Sequence, residues 1–209
     1  IEKCPRLVIK IGSALLVHAD GQPRFDWLRT VAHEVAGARE RGQDVVVVAS
    51  GSVALGAAML ELPGGGRETL AHAQAAASVG QIFLASTWAQ MFAEHGLKAG
   101  QMLLTLDDLE NRGRYLNARE TLRELLKRGA VPIINENDTT ATNEIKFGDN
   151  DRLAARVAQA CAASGVMLLT DVDGLYTKHP SEPGAELLGQ VRGVTPEIHA
   201  MATGGSGSG

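Results

Sequence analysis

Cysteine is nearly absent: Cys4 and Cys161 are the only two in 209 residues, and neither sits in a Cys-x-x-Cys or Cys/His spacing. That excludes a disulfide framework, and the expected state is two buried thiols in a reducing compartment. The six histidines (His18, His33, His72, His95, His179, His199) show no His-x-x-x-His pairing, so no metal site is expected. Aromatic residues make up only 4% of the chain, which leaves few platforms for stacking single-stranded bases. The net charge of −4 lacks the basic excess of a nucleic-acid binder, so none is expected as a partner. No apolar run approaches the roughly 18 residues of a membrane span. Ile1-Glu2-Lys3-Cys4-Pro5-Arg6 does not read as a signal peptide; it leads straight into a strand pattern. The expected compartment is the cytoplasm, with no membrane partner.

What remains is an ordinary globular composition, 44% hydrophobic and 21% charged. The length fits one large domain or two small ones. A chain of this size buries roughly 70% of its unfolded surface, enough for a sizeable core. Leu7-Val8-Ile9-Lys10-Ile11 reads as a buried parallel strand closed by Gly12-Ser13. Asp26 offers a helix cap before Leu28, Val31, Ala32, Val35 and Ala36, which recur at helical spacing, and Gly42 stops the run. Val45 to Ala49 is a second buried strand. Val53 to Leu60 is helix-prone, Leu62 to Gly66 is a flexible loop, and Glu68 to about Glu94 is a long alanine-rich helix. Gln101 to Thr105 and Val131 to Asn135 read as strands around a helix marked by Ala118, Leu122, Leu125 and Leu126. Leu153 to Ala162 forms one helical face, and Val166 to Thr170 is a further buried strand. Alternating strands and helices predict an α/β fold: an open, mostly parallel sheet with helices on both faces, a three-layer αβα sandwich.

In such a fold ligands bind beyond the carboxyl ends of the strands. Lys10-Ile11-Gly12-Ser13 places an ammonium inside an apolar strand. It either meets an anion, with Gly12 allowing a backbone N–H close to a phosphate, or snorkels to water from a frayed end. Ser50-Gly51-Ser52 turns a strand into a helix; it is an anion site at a helix start or a plain serine-capped turn. Asn135-Glu136-Asn137-Asp138-Thr139 carries more polar groups than a turn needs. In Gly148-Asp149-Asn150-Asp151-Arg152 one residue suffices as a cap, and the others are available to hold lysines or a magnesium nucleotide. Thr170-Asp171-Val172-Asp173-Gly174-Leu175-Tyr176 suits a loop against a nucleotide.

The order of these segments is more specific than any one of them. No Gly-x-x-x-x-Gly-Lys-Ser/Thr loop, dinucleotide fingerprint or protein-kinase signature occurs. The chain resembles the amino-acid-kinase family. Gln101-Met102-Leu103-Leu104-Thr105, Tyr115-Leu116-Asn117-Ala118-Arg119, Ile134-Asn135-Glu136-Asn137-Asp138, Glu144-Ile145-Lys146-Phe147-Gly148-Asp149-Asn150-Asp151 and Leu169-Thr170-Asp171-Val172-Asp173-Gly174-Leu175-Tyr176 look like its glutamate 5-kinase branch. The resemblance runs from Leu7 to about Met201.

It implies transfer of the ATP γ-phosphoryl group to the side-chain carboxylate of L-glutamate, the first step of proline biosynthesis. Lys10 would contact the phosphates, Gly12 and Gly51 would offer them N–H groups, and Asp151 would orient the lysine. Ser50, Asp138 and Asn150 match glutamate-binding positions; Thr170 and Asp171 match nucleotide-binding ones. ATP would carry Mg²⁺ with it, proline would inhibit, and the protein would be a homo-oligomer. The alternatives are another kinase of the family, acting on acetylglutamate, aspartate or UMP, or a non-catalytic fragment binding glutamate or proline. Residues 1–209 are expected to be one amino-acid-kinase domain, incomplete at its nucleotide-binding end and without a PUA domain. Such a chain is expected to bind glutamate but turn over ATP poorly.

Overall fold

The structure, a computed structural model, describes residues 1–18, 21–140 and 150–202. It divides into two compact units, Ile1–Leu169 and Thr170–Ser208.

The first unit is built on five parallel strands, β1 (Arg6–Ile11), β2 (Asp44–Ala49), β3 (Ala99–Leu104), β4 (Val131–Glu136) and β5 (Gly165–Leu169), in the order β3-β4-β2-β1-β5. Eight helices are described: α1 (Ser13–Leu16), α2 (Phe25–Glu40), α3 (Ser52–Met59), α4 (Leu70–Ala93), α5 (Leu106–Glu110), α6 (Arg112–Lys127) and α7 (Asn150–Ala160) in this unit, and α8 (Pro196–Ala202) in the second.

Strand side chains alternate between faces, and each face has its own cover. Leu7, Ile9, Ile11, Val45 and Val47 pack against Leu28, Ala32 and Val35 of α2 and Leu84, Trp88 and Phe92 of α4. Val8, Val46, Val48 and Ile134 pack against Leu122 and Leu126 of α6 and Leu153, Ala154 and Val157 of α7. The first unit is therefore a three-layer αβα sandwich, and its sheet is all-parallel among the described residues. All five strands run the same way, so the chemistry-bearing segments that follow β1, β2 and β4 leave the sheet at one edge.

Several local expectations change. Asp26 lies in the first turn of α2, whose N-cap is Arg24. Leu62 to Gly66 contains a 3-10 turn, Pro63–Gly66, with Gly66 buried against Ala57 and Ala76. β5 is a half-exposed edge strand rather than a buried one: Val166 and Leu168, in register with Val8 and Lys10 of β1, are exposed. Its apolar composition reads as burial, but among the described residues it has only β1 beside it. Cys161 is buried and Cys4 only partly so, and both are free thiols.

α3 and α4 cross at backbone distance. A Cβ on Gly56 would lie 1.8 Å from the Ala76 carbonyl oxygen, and one on Gly80 would lie 1.9 Å from the Ser52 carbonyl oxygen. Val53, Ala57, Ala73, Ala76 and Ala77 fill the rest of the contact. Small residues let the second helix carry its side chains to the start of the first. Among the described residues no helix is long and apolar enough to cross a membrane.

Candidate active site

Lys10 is the penultimate residue of β1 and shares its face with Val8, which packs under α7. The side chain is 5% exposed as a residue, so its ammonium needs a counter-charge. Asp151, in the first turn of α7, supplies it at 2.8 Å from Nζ to Oδ1. Asp151 itself is 58% exposed, so the pair has a dry end and a wet end. The site therefore has a fixed positive charge at the mouth of the sheet, held by a carboxylate at a helix start where the helix dipole favours it.

Gly12 follows β1, but its N–H donates to the Leu169 carbonyl at 3.0 Å. The phosphate-facing N–H expected of Gly12 is thus already used in pairing with β5. What Gly12 does leave is space: a Cβ there would sit 3.8 Å from Lys10 Nζ. Gly51 is the N-cap of α3 with φ 101°, a left-handed conformation that glycine adopts without strain. It turns the chain sharply from β2 into α3 and leaves the serines on either side of it buried at the strand end.

Beside this cation lies a buried polar cluster. Asn150 Nδ2 donates to Ser50 Oγ at 2.8 Å and to Asn135 Oδ1 at 3.1 Å. Asn135 Nδ2 donates to Ser52 Oγ at 3.2 Å and to Gln81 Oε1 at 2.6 Å. Ser52 Oγ donates to Asp138 Oδ2 at 3.1 Å. Ser50, Ser52, Gln81, Asn135, Asp138 and Asn150 are each at most 8% exposed. They come from β4 and its following turn and from the starts of α3 and α7, with Gln81 reaching in from α4. Burial pushes the Asp138 carboxyl above its ordinary range, while the Ser52 hydrogen bond and the positive charge of Arg67 pull it back. Two polar atoms of the cluster are buried without a partner among the described residues: Asn150 Oδ1 and Gln81 Nε2.

Two clefts meet at Asp138. A narrow one is lined by Ser50, Gly51, Ser52, Arg67, Asn135, Glu136, Asp138 and Asn150. A wider one of about 270 Å³ is lined by Gln81, Gln101, Glu136, Asn137, Asp138 and Thr139, with apolar walls from Ala77, Ile82 and Leu103. The residues of the narrow cleft supply a buried carboxylate, a buried carbonyl oxygen with no partner among the described residues, and serine hydroxyls, which is the donor–acceptor set for a small ammonium-bearing ligand.

Of the residues singled out from sequence, Lys10 and Asp151 are paired, and Ser50, Asp138 and Asn150 share one hydrogen-bonded cluster. Thr170 and Asp171 belong to the second unit, where Thr170 Oγ1 donates to Asp171 Oδ1 at 3.1 Å. The Glu144-to-Asp149 segment and the Gly204-to-Gly209 run lie outside the described residues. Ser52, Asn135 and Gln81 were not assigned individual roles from sequence. For Gln81 a signal existed: it continues the Ala73, Ala76, Ala77, Gly80 stripe, where an amide is out of place unless it has a polar partner.

Residues 5–208 match the amino acid kinase family. A glutamate 5-kinase of Novosphingobium aromaticivorans is 64% identical over 206 residues, 99% of this chain and 55% of that protein. One of Zymomonas mobilis is 56% identical over 209 residues, covering 100% and 53%. One of Sphingopyxis alaskensis is 57% identical over 206 residues, covering 99% and 56%. The chain spans about half the length of the curated relatives it matches.

Proposed function

This chain belongs to the amino acid kinase family, and from that premise we propose that it serves transfer of the γ-phosphoryl group of MgATP to the side-chain carboxylate of L-glutamate. The product is γ-glutamyl phosphate, the entry to proline biosynthesis, made in the cytoplasm. The observation that carries the reading is the adjacency of a buried cation and a buried acceptor cluster at neighbouring strand ends: Lys10 with Asp151, and Asp138 with Ser52, Asn135, Asn150 and Ser50.

A carboxylate oxygen of glutamate attacks the γ-phosphorus, a new P–O bond forms, and the bond to the β,γ-bridging oxygen breaks as ADP leaves. Both reactants are anions, so the barrier is largely repulsion between like charges. Lys10, close to where that charge accumulates, lowers it, and Asp151 keeps the ammonium aimed. Magnesium would arrive with ATP as part of that substrate and would offset part of the phosphate charge. No general base is needed, because a glutamate side chain is already ionised at neutral pH. Asp138 accepts the substrate's α-ammonium, and Asn150 and Ser50 complete its surroundings. Thr170 and Asp171 contact the nucleotide, Gly51 offers its backbone N–H to the phosphates, and Gly12, whose own N–H is taken by Leu169, keeps the space beside Lys10 clear of a side chain. Proline, which shares the α-carboxylate and a cationic nitrogen, inhibits by using some of the same partners, and the working enzyme is a homo-oligomer.

A coupled assay of ADP release with glutamate, N-acetylglutamate, aspartate and UMP offered as acceptors tests the reading. Release stimulated by glutamate alone is the expected result. Stimulation by one of the others and not by glutamate would reassign the acceptor.

A further inference from the structure

The hydrogen-bond directions in the polar cluster are not free choices, and they begin from a single proton. Asp138 as a carboxylate can only accept, so the Ser52 hydroxyl proton is committed to it. Ser52 Oγ then has only lone pairs left, and the atom of Asn135 facing it at 3.2 Å must be the amide nitrogen. With Nδ2 on that side, Gln81 must present its oxygen to it, at 2.6 Å. Asn135 Oδ1 consequently faces Asn150, whose Nδ2 donates to it at 3.1 Å and to Ser50 Oγ at 2.8 Å. Asn150 Oδ1 is left over. It is buried and has no partner among the described residues, and Asn150 is one of the residues lining the cleft that Asp138 also lines.

We propose that Ser52 is a specificity-positioning residue: by giving its one proton to Asp138 it locks the carboxamides of Asn135 and Asn150 so that the cleft shows a carboxylate and a bare carbonyl oxygen, and so reads an ammonium group. This rests on the reading of the cleft as the glutamate site and says how that site recognises the α-ammonium. The one other accept-only group beside these amides among the described residues, the Ala49 carbonyl, lies 3.5 Å from Asn150 Nδ2, at the limit of a hydrogen bond and too far to hold the polarity alone. Gln81 Nε2 has no partner to hold its amide one way round, and Ser50 both donates and accepts. Without the Ser52 hydroxyl, Gln81, Asn135 and Asn150 can all turn over with their mutual hydrogen bonds kept. Asn150 then presents N–H groups to the ligand's N–H groups. The reversal costs the fold little and costs the ligand an ionic hydrogen bond.

Ser52→Ala suits the test because alanine is small and favoured in a helix, so the variant folds. Calorimetric titrations of the 209-residue protein with L-glutamate and with glutarate, which keeps both carboxylates and lacks the ammonium, separate recognition from general damage. In the wild type glutamate binds much more tightly than glutarate. In Ser52→Ala glutamate binding weakens roughly tenfold to a hundredfold, the worth of a hydrogen bond to a charged group, while glutarate binding is unchanged. Ser52→Thr, which keeps the hydroxyl, retains the wild-type selectivity. Equal weakening of both ligands in Ser52→Ala, or no weakening of glutamate, overturns the proposal. A wild type that binds both ligands equally overturns it while leaving the acceptor assignment standing, and a wild type that binds neither overturns both.

Discussion

Lys10 occupies a strand position whose neighbours, Val8 and Val48, are fully buried, and such a position ordinarily takes an apolar side chain. Its partner Asp151 is more than half exposed, so removing the lysine leaves that carboxylate in water rather than stranded in the core. Lys10→Ala is therefore expected to leave the melting temperature nearly unchanged and to lower kcat by about 10²–10³, as for removal of one transition-state donor. A variant with kcat near that of the wild type would sink the catalytic assignment. Asp138 is the opposite case, a carboxylate whose charged form burial disfavours, with the Ser52 hydrogen bond and the Arg67 charge offsetting only part of that cost. Burial raises its pKa above the unfolded value, so between the two values the folded state holds more protons than the unfolded one and stability falls as pH rises through that window. Asp138→Asn is expected to melt higher than the wild type, with the gap opening as pH is raised from about the ordinary carboxylate pKa of 3.9 and then levelling off. Equal melting temperatures across that range would show that the carboxylate is not strained. Lys10, Ser50, Asn150 and Asp151 stood out in the sequence because each lies at a strand end or a helix start; the partnership of Lys10 with Asp151 came only from the family resemblance, and the bond between Ser50 and Asn150 only from the structure. Ser52, Asn135 and Gln81 were not assigned roles because hydrogen-bond direction is a property of the assembled cluster.

At the scale of elements, all five strands and the long helices were legible from apolar runs and 3.6-residue spacing. The short α5 was missed, although its capping box is present: Thr105 accepts from the Asp108 N–H and Asp108 accepts from the Thr105 N–H. α6 begins at Arg112, ahead of its apolar positions, because Asn111 caps it by accepting from the Gly113 and Arg114 N–H groups. The alanine-rich pattern identifies α3 and α4 as helices but not their partner, which only the meeting of Gly56 with Gly80 reveals. Two effects oppose each other at those glycines. Alanine gains about 1 kcal/mol over glycine in a helix interior. A Cβ under 2 Å from a carbonyl oxygen forces the helices apart, and overpacking of this kind costs about 1–3 kcal/mol or more. Gly56→Ala and Gly80→Ala are each expected to lower the denaturant midpoint. Separating α3 from α4 also moves Ser52 away from Gln81, so glutamate binding should weaken in the same variants. A raised midpoint in either would mean that the crossing has room that the structure does not give it.

Across the whole molecule the proposed roles divide by unit. Lys10, Ser50, Asp138, Asn150 and Asp151 belong to the first, and Thr170 and Asp171 to the second. The sheet order brings the first group together without help from the second, since Ser50, Asn135 and Asn150 are already bonded to one another at the ends of β2 and β4 and the start of α7. Binding of the amino acid and of the nucleotide should then respond to different substitutions. Asp138→Ala removes the acceptor of the substrate ammonium and is expected to raise the glutamate KM roughly tenfold or more with little change in the ATP KM. Asp171→Ala removes a carboxylate from the second unit and is expected to do the reverse. Steady-state kinetics with each substrate varied at saturating levels of the other provide the measurement, and calorimetry with glutamate alone checks that Asp171→Ala binds the amino acid as the wild type does. Proline supplies an independent reading of the same division. If its nitrogen uses Asp138, Asp138→Ala weakens proline and glutamate together, whereas Asp171→Ala leaves both unchanged. Asp138→Ala lowering affinity for ATP, or Asp171→Ala lowering affinity for glutamate and proline, would show that the acceptor and nucleotide roles are not divided between the units in this way.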